Sequence, residues 1–283
     1  LPVAGRYLEL HYSLGKRRVL MTDQPADHDT TAERQALSAY DVSALCDHTK
    51  LLVFGDSLTH FGPEGALPPH DLRLWPAALA HDMGLELALF AEAGWTTRQG
   101  WWAMTRNPTI WEAIAESSAV VLGLCSMDSM PSPLPTALRE GLRYIRPPRL
   151  RRAVRKGYLA LQPQLSPYLP WQALPPHLTV EYLERMRNAI TVVRADVPIV
   201  AVAPCGHWGK SYGYAQPGRD KTGAAVHQWA QQKGIPVVDL YAETRSYVDN
   251  HIGNPDGLHW GFDAHRDVAD AFLRTFHTHT NWG

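Results

Sequence analysis

Three residues in this 283-residue chain have the types that nucleophilic catalysis needs. Ser57 follows a short apolar run that ends at Gly55, and Asp256 and His259 lie three residues apart near the other end of the sequence. A serine hydroxyl is a weak nucleophile until a base takes its proton, and a histidine oriented by a carboxylate is an effective base. We therefore predict Ser57 as the nucleophile, His259 as the general base and Asp256 as the group that orients the imidazole ring.

The segments around these residues predict a parallel β-sheet. The apolar run 51–54 is typical of a buried strand, and Ser57 follows its carboxyl end, where ligands bind in open α/β sheets. Asp56 is expected to bond the backbone amides of its own turn. Downstream, strands and amphipathic helices alternate, which indicates helices on both faces of the sheet. Further strands are predicted at 85–90, 118–124, 197–203 and 235–240, and helices at 74–83, 179–194, 220–233 and 264–276.

Two segments fall outside this alternation. Residues 1–50 are predicted to form an N-terminal extension packed on a catalytic domain that spans 51–283. Residues 130–178 make an unusually long connection, rich in proline and arginine, and we interpret this insertion as a lid. Arg139, Arg143 and Arg146 would share a helix face in it, either as a site for a small anion or as a solvated surface.

The composition is that of a folded globular protein, with 45% hydrophobic and 19% charged residues. A formal net charge of −1 gives no general attraction to nucleic acid or to an anionic membrane, and no apolar run is long enough to span a bilayer. The histidines lack companions at metal-ligand spacing, so we predict no metal. Three cysteines and the absence of a basic-then-apolar targeting pattern favour free thiols in a cytoplasmic protein.

Gly55-Asp56-Ser57-Leu58 and Asp256-x-x-His259 resemble the motifs of the GDSL, or SGNH, hydrolase and acyltransferase family. The resemblance implies that both motifs belong to one active site on a three-layer α/β/α flavodoxin-like sandwich with a five-stranded parallel sheet. The alternative is a turn serine and a helix-capping aspartate that do no chemistry, since both residue types favour turns and caps.

The resemblance also implies three donors for a tetrahedral oxyanion. Two would be the backbone N–H groups of Ser57 and Gly94, and the third an asparagine in a Gly-x-Asn-Asp motif. This chain has Cys125-Ser126-Met127-Asp128 there, and a methionine side chain has no N–H to donate. Either Ser126, Cys125 or another group replaces the asparagine, or the site works with two backbone donors.

Aromatic residues accompany the predicted strand ends. Trp95, Trp208, Trp260 and His207 are candidate substrate-binding residues, and the alternative for each tryptophan is packing in the core.

Residues 55–62, 126–131 and 149–156 resemble a narrower group within the family, the actinobacterial enzymes that octanoylate glucosylglycerate-type sugars during methylglucose lipopolysaccharide assembly. That likeness implies an acyl-coenzyme A donor as a substrate, a small sugar acceptor and no cofactor. A carbohydrate or lipid esterase with the same triad, and a catalytically inactive sugar-binding module, are the alternatives. Acyl length, acceptor identity and oligomeric state stay open.

Overall fold

The computed structural model describes residues 48–280, apart from the side chains of Ala137, Glu140 and Arg143. The predicted extension over 1–50 lies almost entirely outside the described residues. The predicted α/β architecture is confirmed in the described part of the chain, and all five predicted strands are present.

The sheet has five parallel strands in the spatial order β4-β1-β5-β6-β7. Consecutive side chains of a strand point to opposite faces, and residues 51–54 are all fully buried, so both faces of the sheet are covered. A two-stranded hairpin, β2 and β3, follows the first strand. The strands are β1 (Lys50–Gly55), β2 (Phe61–Gly62), β3 (Gly65–Ala66), β4 (Glu86–Ala91), β5 (Ser117–Gly123), β6 (Ile199–Ala203) and β7 (Val237–Asp239).

The helices form two groups around the sheet. Helix α1 packs against α10, whereas α2 packs against α7 and α7 against α8. The helices are α1 (Trp75–Asp82), α2 (Thr97–Met104), α3 (Pro108–Ala115), α4 (Ser126–Ser129), α5 (Thr136–Gly141), α6 (Pro148–Leu165), α7 (Pro176–Val193), α8 (Arg219–Lys233), α9 (Leu240–Asp249) and α10 (Phe262–His279).

The strand order places a crevice between β1 and β5. The chain passes from β1 to β4 on one side and then returns to β5 on the other, so the direction of winding reverses between β1 and β5. Ligands of doubly wound sheets bind at such a switch point, outside the carboxyl ends of the strands. Ser57 follows β1, and Met127 follows β5, so both lie at this crevice.

The insertion over 130–178 leaves the sheet and returns at one place. Its ends pair through Ala173 N–H to Met130 O at 2.8 Å and Ser132 N–H to Trp171 O at 2.9 Å. The expectation that Arg139, Arg143 and Arg146 share one helix face is wrong. Helix α5 ends at Gly141, and Arg146 precedes two prolines, which disfavour helical backbone before them. Helix α6 is the longest element that lies wholly within the insertion. The role of the insertion as a lid stays a prediction.

Gly55 sets the tight exit from β1 that presents Ser57. A Cβ atom at position 55 would lie 2.2 Å from Cγ2 of Thr59. The Thr59 side chain is held in place because its hydroxyl donates to the carbonyl of Asp56 at 2.7 Å. Only glycine therefore fits this turn without displacing its neighbour.

Gly55→Ala should lower the free energy of unfolding by about 1–3 kcal/mol, since overpacking forces a shift of this order. Thr59→Ser removes Cγ2 and keeps the hydroxyl. Gly55→Ala should therefore lower the free energy of unfolding much less in the Thr59→Ser protein than in the wild type. Urea unfolding of the four proteins checks this, and equal losses in both backgrounds would refute the steric explanation.

Candidate active site

Ser57 begins a short 3-10 helix, Ser57–Thr59, directly after β1. The residue is buried except for 8% of its surface, at the crevice between β1 and β5. Asp56 caps this helix, because its Oδ1 accepts from the N–H of Leu58 at 2.9 Å. The structural role predicted for Asp56 is therefore confirmed.

Asp56 is itself deeply buried, with Oδ2 lacking a hydrogen-bond partner among the described residues. Burial raises the pKa of Asp56 to about 7; the Leu58 N–H acts against this rise, and the nearby Asp128 carboxyl adds to it. A protonatable carboxyl group thus lies directly beside the candidate nucleophile.

Asp256 and His259 form a hydrogen-bonded pair in the loop before α10. Asp256 Oδ2 lies 2.6 Å from His259 Nδ1, and Oδ1 accepts from the N–H groups of Leu258 at 2.7 Å and of His259 at 3.1 Å. Burial acts to raise the pKa of Asp256, but these backbone donors and the imidazole outweigh it, so the pKa lies below its usual value. An ionised carboxylate therefore fixes the orientation of the imidazole ring.

This loop lies against the segment that follows Ser57. The His259 ring stacks on Phe61, with centroids 4.5 Å apart and ring planes at 22°. His265 on α10 donates from Nε2 to the carbonyl of Phe61 at 3.0 Å, and Asn254 Nδ2 donates to the carbonyl of Gly62 at 2.9 Å. These contacts join parts of the chain that are about 200 residues apart.

The proton position on His265 follows from its partners. Nδ1 accepts from the backbone N–H of Trp75 at 3.3 Å, which leaves the proton on Nε2 for Phe61 O. Burial lowers the pKa of His265 to about 4, so the ring stays neutral. Sequence reasoning missed both His265 and Phe61, since a histidine at a core-facing helical position carries no local signal of such a role.

The structure brings the loop of Asp256 and His259 to the hairpin after Ser57. The contacts of the described residues include no direct hydrogen bond from Ser57 Oγ to the His259 ring. Catalytic hydrogen bonds in unliganded sites are often long and tighten in the substrate complex. Proton transfer between the two groups therefore stays a prediction.

The candidate oxyanion donors differ in what they contact. Gly94 is exposed in the turn after β4, with φ of 81°. The Cys125 thiol is buried and donates to Val202 O on β6 at 3.2 Å, which directs it into the sheet. Ser126 Oγ accepts from Cys205 N–H at 3.2 Å and so keeps its own proton to donate. Of the two side chains suggested as replacements, Ser126 is the better placed.

Asp128 connects the loops that carry these donors. Its buried carboxyl accepts from Thr97 N–H at 3.0 Å, from Thr97 Oγ1 at 2.5 Å and from Thr179 Oγ1 at 2.9 Å. The residue thereby ties α4 to the start of α2, close to Gly94, and to α7. Burial raises its pKa, and the threonine donors oppose this rise.

His207 and Trp208 line a polar cavity of about 550 Å³ beside α9, which we call the Trp208 cavity. The Trp208 ring stacks on the His251 ring, with centroids 5.5 Å apart. The backbone N–H of Trp208 donates to the carbonyl of Gly257 at 2.9 Å, so the cavity borders the loop of Asp256 and His259. Burial lowers the pKa of His207 to about 4. The other lining residues are Tyr214, Gln216, Arg219, Tyr241, Val248, Asp249 and His251.

The remaining two tryptophans lie elsewhere. The prediction that Trp260 binds substrate needs correction: the side chain is 2% exposed and packs edge-on against His265 in the core, because the loop folds it inward. Trp95 is half-buried, and its Nε1 donates to Glu92 at 2.8 Å. A substrate contact by Trp95 stays a prediction.

Three further features of the described residues concern metal binding, membrane spanning and the state of the cysteines. Within 48–280, no group of three or more His, Cys, Asp or Glu side chains is arranged to hold a metal ion. None of the helices in that range is long and apolar enough to cross a membrane. Cys125 and Cys205 are buried free thiols.

Comparison with known proteins finds a family, individual relatives and solved structures that are similar to this chain. The model of the GDSL-like lipase/acylhydrolase family matches residues 53–266. The diglucosylglycerate octanoyltransferases of Mycolicibacterium hassiacum and Mycobacterium tuberculosis are 50% and 49% identical to the chain over 79% of its length, covering 93% and 90% of theirs. A lipase/acylhydrolase from Enterococcus faecalis shares the fold, with a TM-score of 0.54, 16% identity, and coverage of 83% of this chain and 98% of its own.

His265→Leu should lower the turnover of any reaction that uses His259, by roughly tenfold, because Phe61 loses the donor that holds its carbonyl. His265→Gln keeps a donor and should retain most of the rate. The exposed His277 on the same helix offers His277→Leu as a matched control. Steady-state kcat is the readout, and thermal unfolding shows whether each variant is folded. Equal kcat values in the Leu and Gln variants would contradict a positioning role for His265.

Asp56→Asn should change how stability depends on pH. The folded protein holds the Asp56 pKa at about 7, above its ordinary value of 3.8, so this group loses stabilising effect as pH rises from about 4 to about 7. Asparagine does not ionise. The free energy of unfolding of the variant, relative to that of the wild type, should therefore increase across that window by on the order of 4 kcal/mol at most. Urea unfolding at pH 5 and pH 8 measures it; a difference that is the same at both pH values would contradict the raised pKa.

Proposed function

The chain belongs to the GDSL-like lipase/acylhydrolase family, and we propose that it is a serine-dependent O-acyltransferase. In this proposal it moves a medium-chain acyl group, octanoyl, from acyl-coenzyme A to a glucosylglycerate-type sugar in methylglucose lipopolysaccharide assembly. Support comes from the two mycobacterial relatives named diglucosylglycerate octanoyltransferase, which match most of this chain and nearly all of their own length.

One observation carries the chemistry: the 2.6 Å hydrogen bond between Asp256 and His259, on a ring stacked against the hairpin that follows Ser57. In the proposed first step, His259 takes the Ser57 proton while the hydroxyl oxygen attacks the thioester carbonyl. The tetrahedral intermediate collapses, His259 protonates the departing thiol, and an ester on Ser57 forms. Asp256 stabilises the imidazolium that exists in between.

In the proposed second step, His259 takes a proton from a sugar hydroxyl, whose oxygen attacks the ester carbonyl of the acyl-enzyme. As the resulting tetrahedral intermediate collapses, the bond from the acyl carbon to Ser57 Oγ breaks, and His259 returns the proton to Ser57 Oγ. The backbone N–H groups of Ser57 and Gly94 would stabilise each oxyanion, and Ser126 is our candidate for the third donor. Acyl-coenzyme A is a substrate here, and the proposed chemistry needs no cofactor or metal.

Acyl transfer must outcompete hydrolysis, which requires a positioned acceptor and a shielded site. The Trp208 cavity is the proposed acceptor site, because aromatic faces and polar groups suit sugar rings and it borders the loop of His259. His207 and Trp208 would contact the sugar. A coenzyme A donor and the buried free thiols Cys125 and Cys205 favour a cytoplasmic reaction.

Ser57→Ala, His259→Ala and Asp256→Asn should each reduce octanoyl transfer by on the order of 10⁴-fold while keeping the fold, since each removes a part of the proton-transfer system. Mass spectrometry of the acylated sugar and of free octanoate, with and without acceptor, gives the readout.

Free octanoate formed equally fast without acceptor would identify an esterase with the same triad. Failure of a fluorophosphonate to label Ser57 in well-folded protein would point instead to an inactive sugar-binding module. Near-normal rates in Ser57→Ala or His259→Ala would refute the mechanism.

A further inference from the structure

A second cavity, of about 560 Å³, lies between α4 and the insertion helix α6. We call it the arginine cavity, because Arg139, Arg151, Arg152 and Arg155 all line it. Its volume falls within the range of about 300–1,000 Å³ that small-molecule sites have. None of the roles derived above uses it.

The arginine cavity begins beside the candidate nucleophile. Met127 lines it, and the Met127 backbone N–H is close enough to Asp56 to lower the pKa of that carboxyl group. Asp56 precedes Ser57, and β1 and β5 are adjacent strands whose ends, Gly55 and Gly123, are in register. A molecule whose reacting carbonyl lies at Ser57 therefore has this cavity next to it.

The positive charge of the arginine cavity favours the binding of an anion. Among its described lining residues are four arginines and no aspartate or glutamate. Arg139 donates from one amino group to Ala173 O at 2.9 Å, while its buried Nε has no partner among the described residues. Arg152 and Arg155 are three residues apart on α6, a spacing at which like charges repel. Phosphate oxygens, which arginine binds in bidentate fashion, would offset this repulsion.

The rest of the lining is mostly apolar, and its polar members are Tyr158, Gln162 and Tyr212. Met127, Met130, Leu142 and Leu159 contribute hydrocarbon and thioether surface. A sugar ring placed against these four side chains would bury hydroxyl groups to which they offer no hydrogen-bond partner, which is costly. A medium acyl chain would instead be stabilised there, because each methylene group that it buries leaves water.

We infer that the arginine cavity is the acyl-donor site, with the acyl chain against its apolar wall and the phosphate groups of the thioester carrier on its arginines. This assignment rests on the proposed function, and it leaves the Trp208 cavity to the acceptor. Helix α6 thereby becomes the part of the insertion that selects a phosphorylated carrier over a simple ester.

Arg152→Gln/Arg155→Gln tests the assignment, since neither side chain makes a hydrogen bond to protein in the described residues. Arg149→Gln/Lys156→Gln is the matched control: it removes the same charge from the same helix at exposed positions outside the cavity lining. The substrates are octanoyl-coenzyme A and octanoyl-pantetheine, which has the same thioester without phosphate. We expect KM for octanoyl-coenzyme A to rise at least tenfold in the cavity variant, KM for octanoyl-pantetheine to change far less, and the control to resemble the wild type.

Three results would overturn the assignment: equal effects on both thioesters, no effect on either, or a rise in KM for the sugar acceptor alone, which would place the acceptor's carboxylate on these arginines. Calorimetric binding of coenzyme A to the unreacted protein separates this proposal from the proposed function. Coenzyme A binding that the cavity variant weakens tenfold, in a protein that transfers no octanoyl group, would support the anion site while the proposed reaction failed.

Discussion

Two hydrogen bonds across about 200 residues hold the candidate site together: His265 to the carbonyl of Phe61, and Asn254 to the carbonyl of Gly62. They fix the hairpin after Ser57 against the loop of Asp256 and His259, and the Phe61 ring then fixes the plane of His259 by stacking. The His265 imidazole works only as a neutral ring, because one nitrogen accepts and the other donates. Its burial keeps it neutral, so packing and hydrogen bonding reinforce each other here.

A second constraint lies under the crevice, where Asp56 and Asp128 are both buried. Each carboxyl group organises a turn, Asp56 at the end of β1 and Asp128 after β5, and the charge of Asp128 raises the pKa of Asp56. Between them Cys125 adopts φ of 131°, a strained conformation that glycine would adopt freely. Cys125, which stands where the Gly-x-Asn-Asp motif has its glycine, thus adopts a backbone conformation that favours glycine.

Local patterns in the sequence predict the strands, the serine turn and the Asp256–His259 pair, because each depends on residues within a few positions of one another. The apolar run before Ser57 is a signal of this kind, and so is the three-residue spacing of Asp256 and His259. Contacts between distant segments carry no such signal, so Phe61 and His265 were not found. Trp260 was misassigned for the same reason: position after a strand end does not tell whether a ring turns toward solvent or into the core. The sequence shows that the insertion is rich in arginine, but only the fold shows that Arg139 and the arginines of α6 line one cavity together with Met127.

The order of the two motifs along the chain has a consequence during translation. Ribosomes add about 5–20 residues per second, so roughly 10–40 s separate the synthesis of Ser57 from that of His259. Throughout that interval a nascent chain has its hydroxyl but no base, and α1 lacks α10, the helix against which it packs. A ribosome-bound fragment therefore cannot consume thioester in the way proposed for the finished protein, and chemistry begins only when the last helix has emerged and docked.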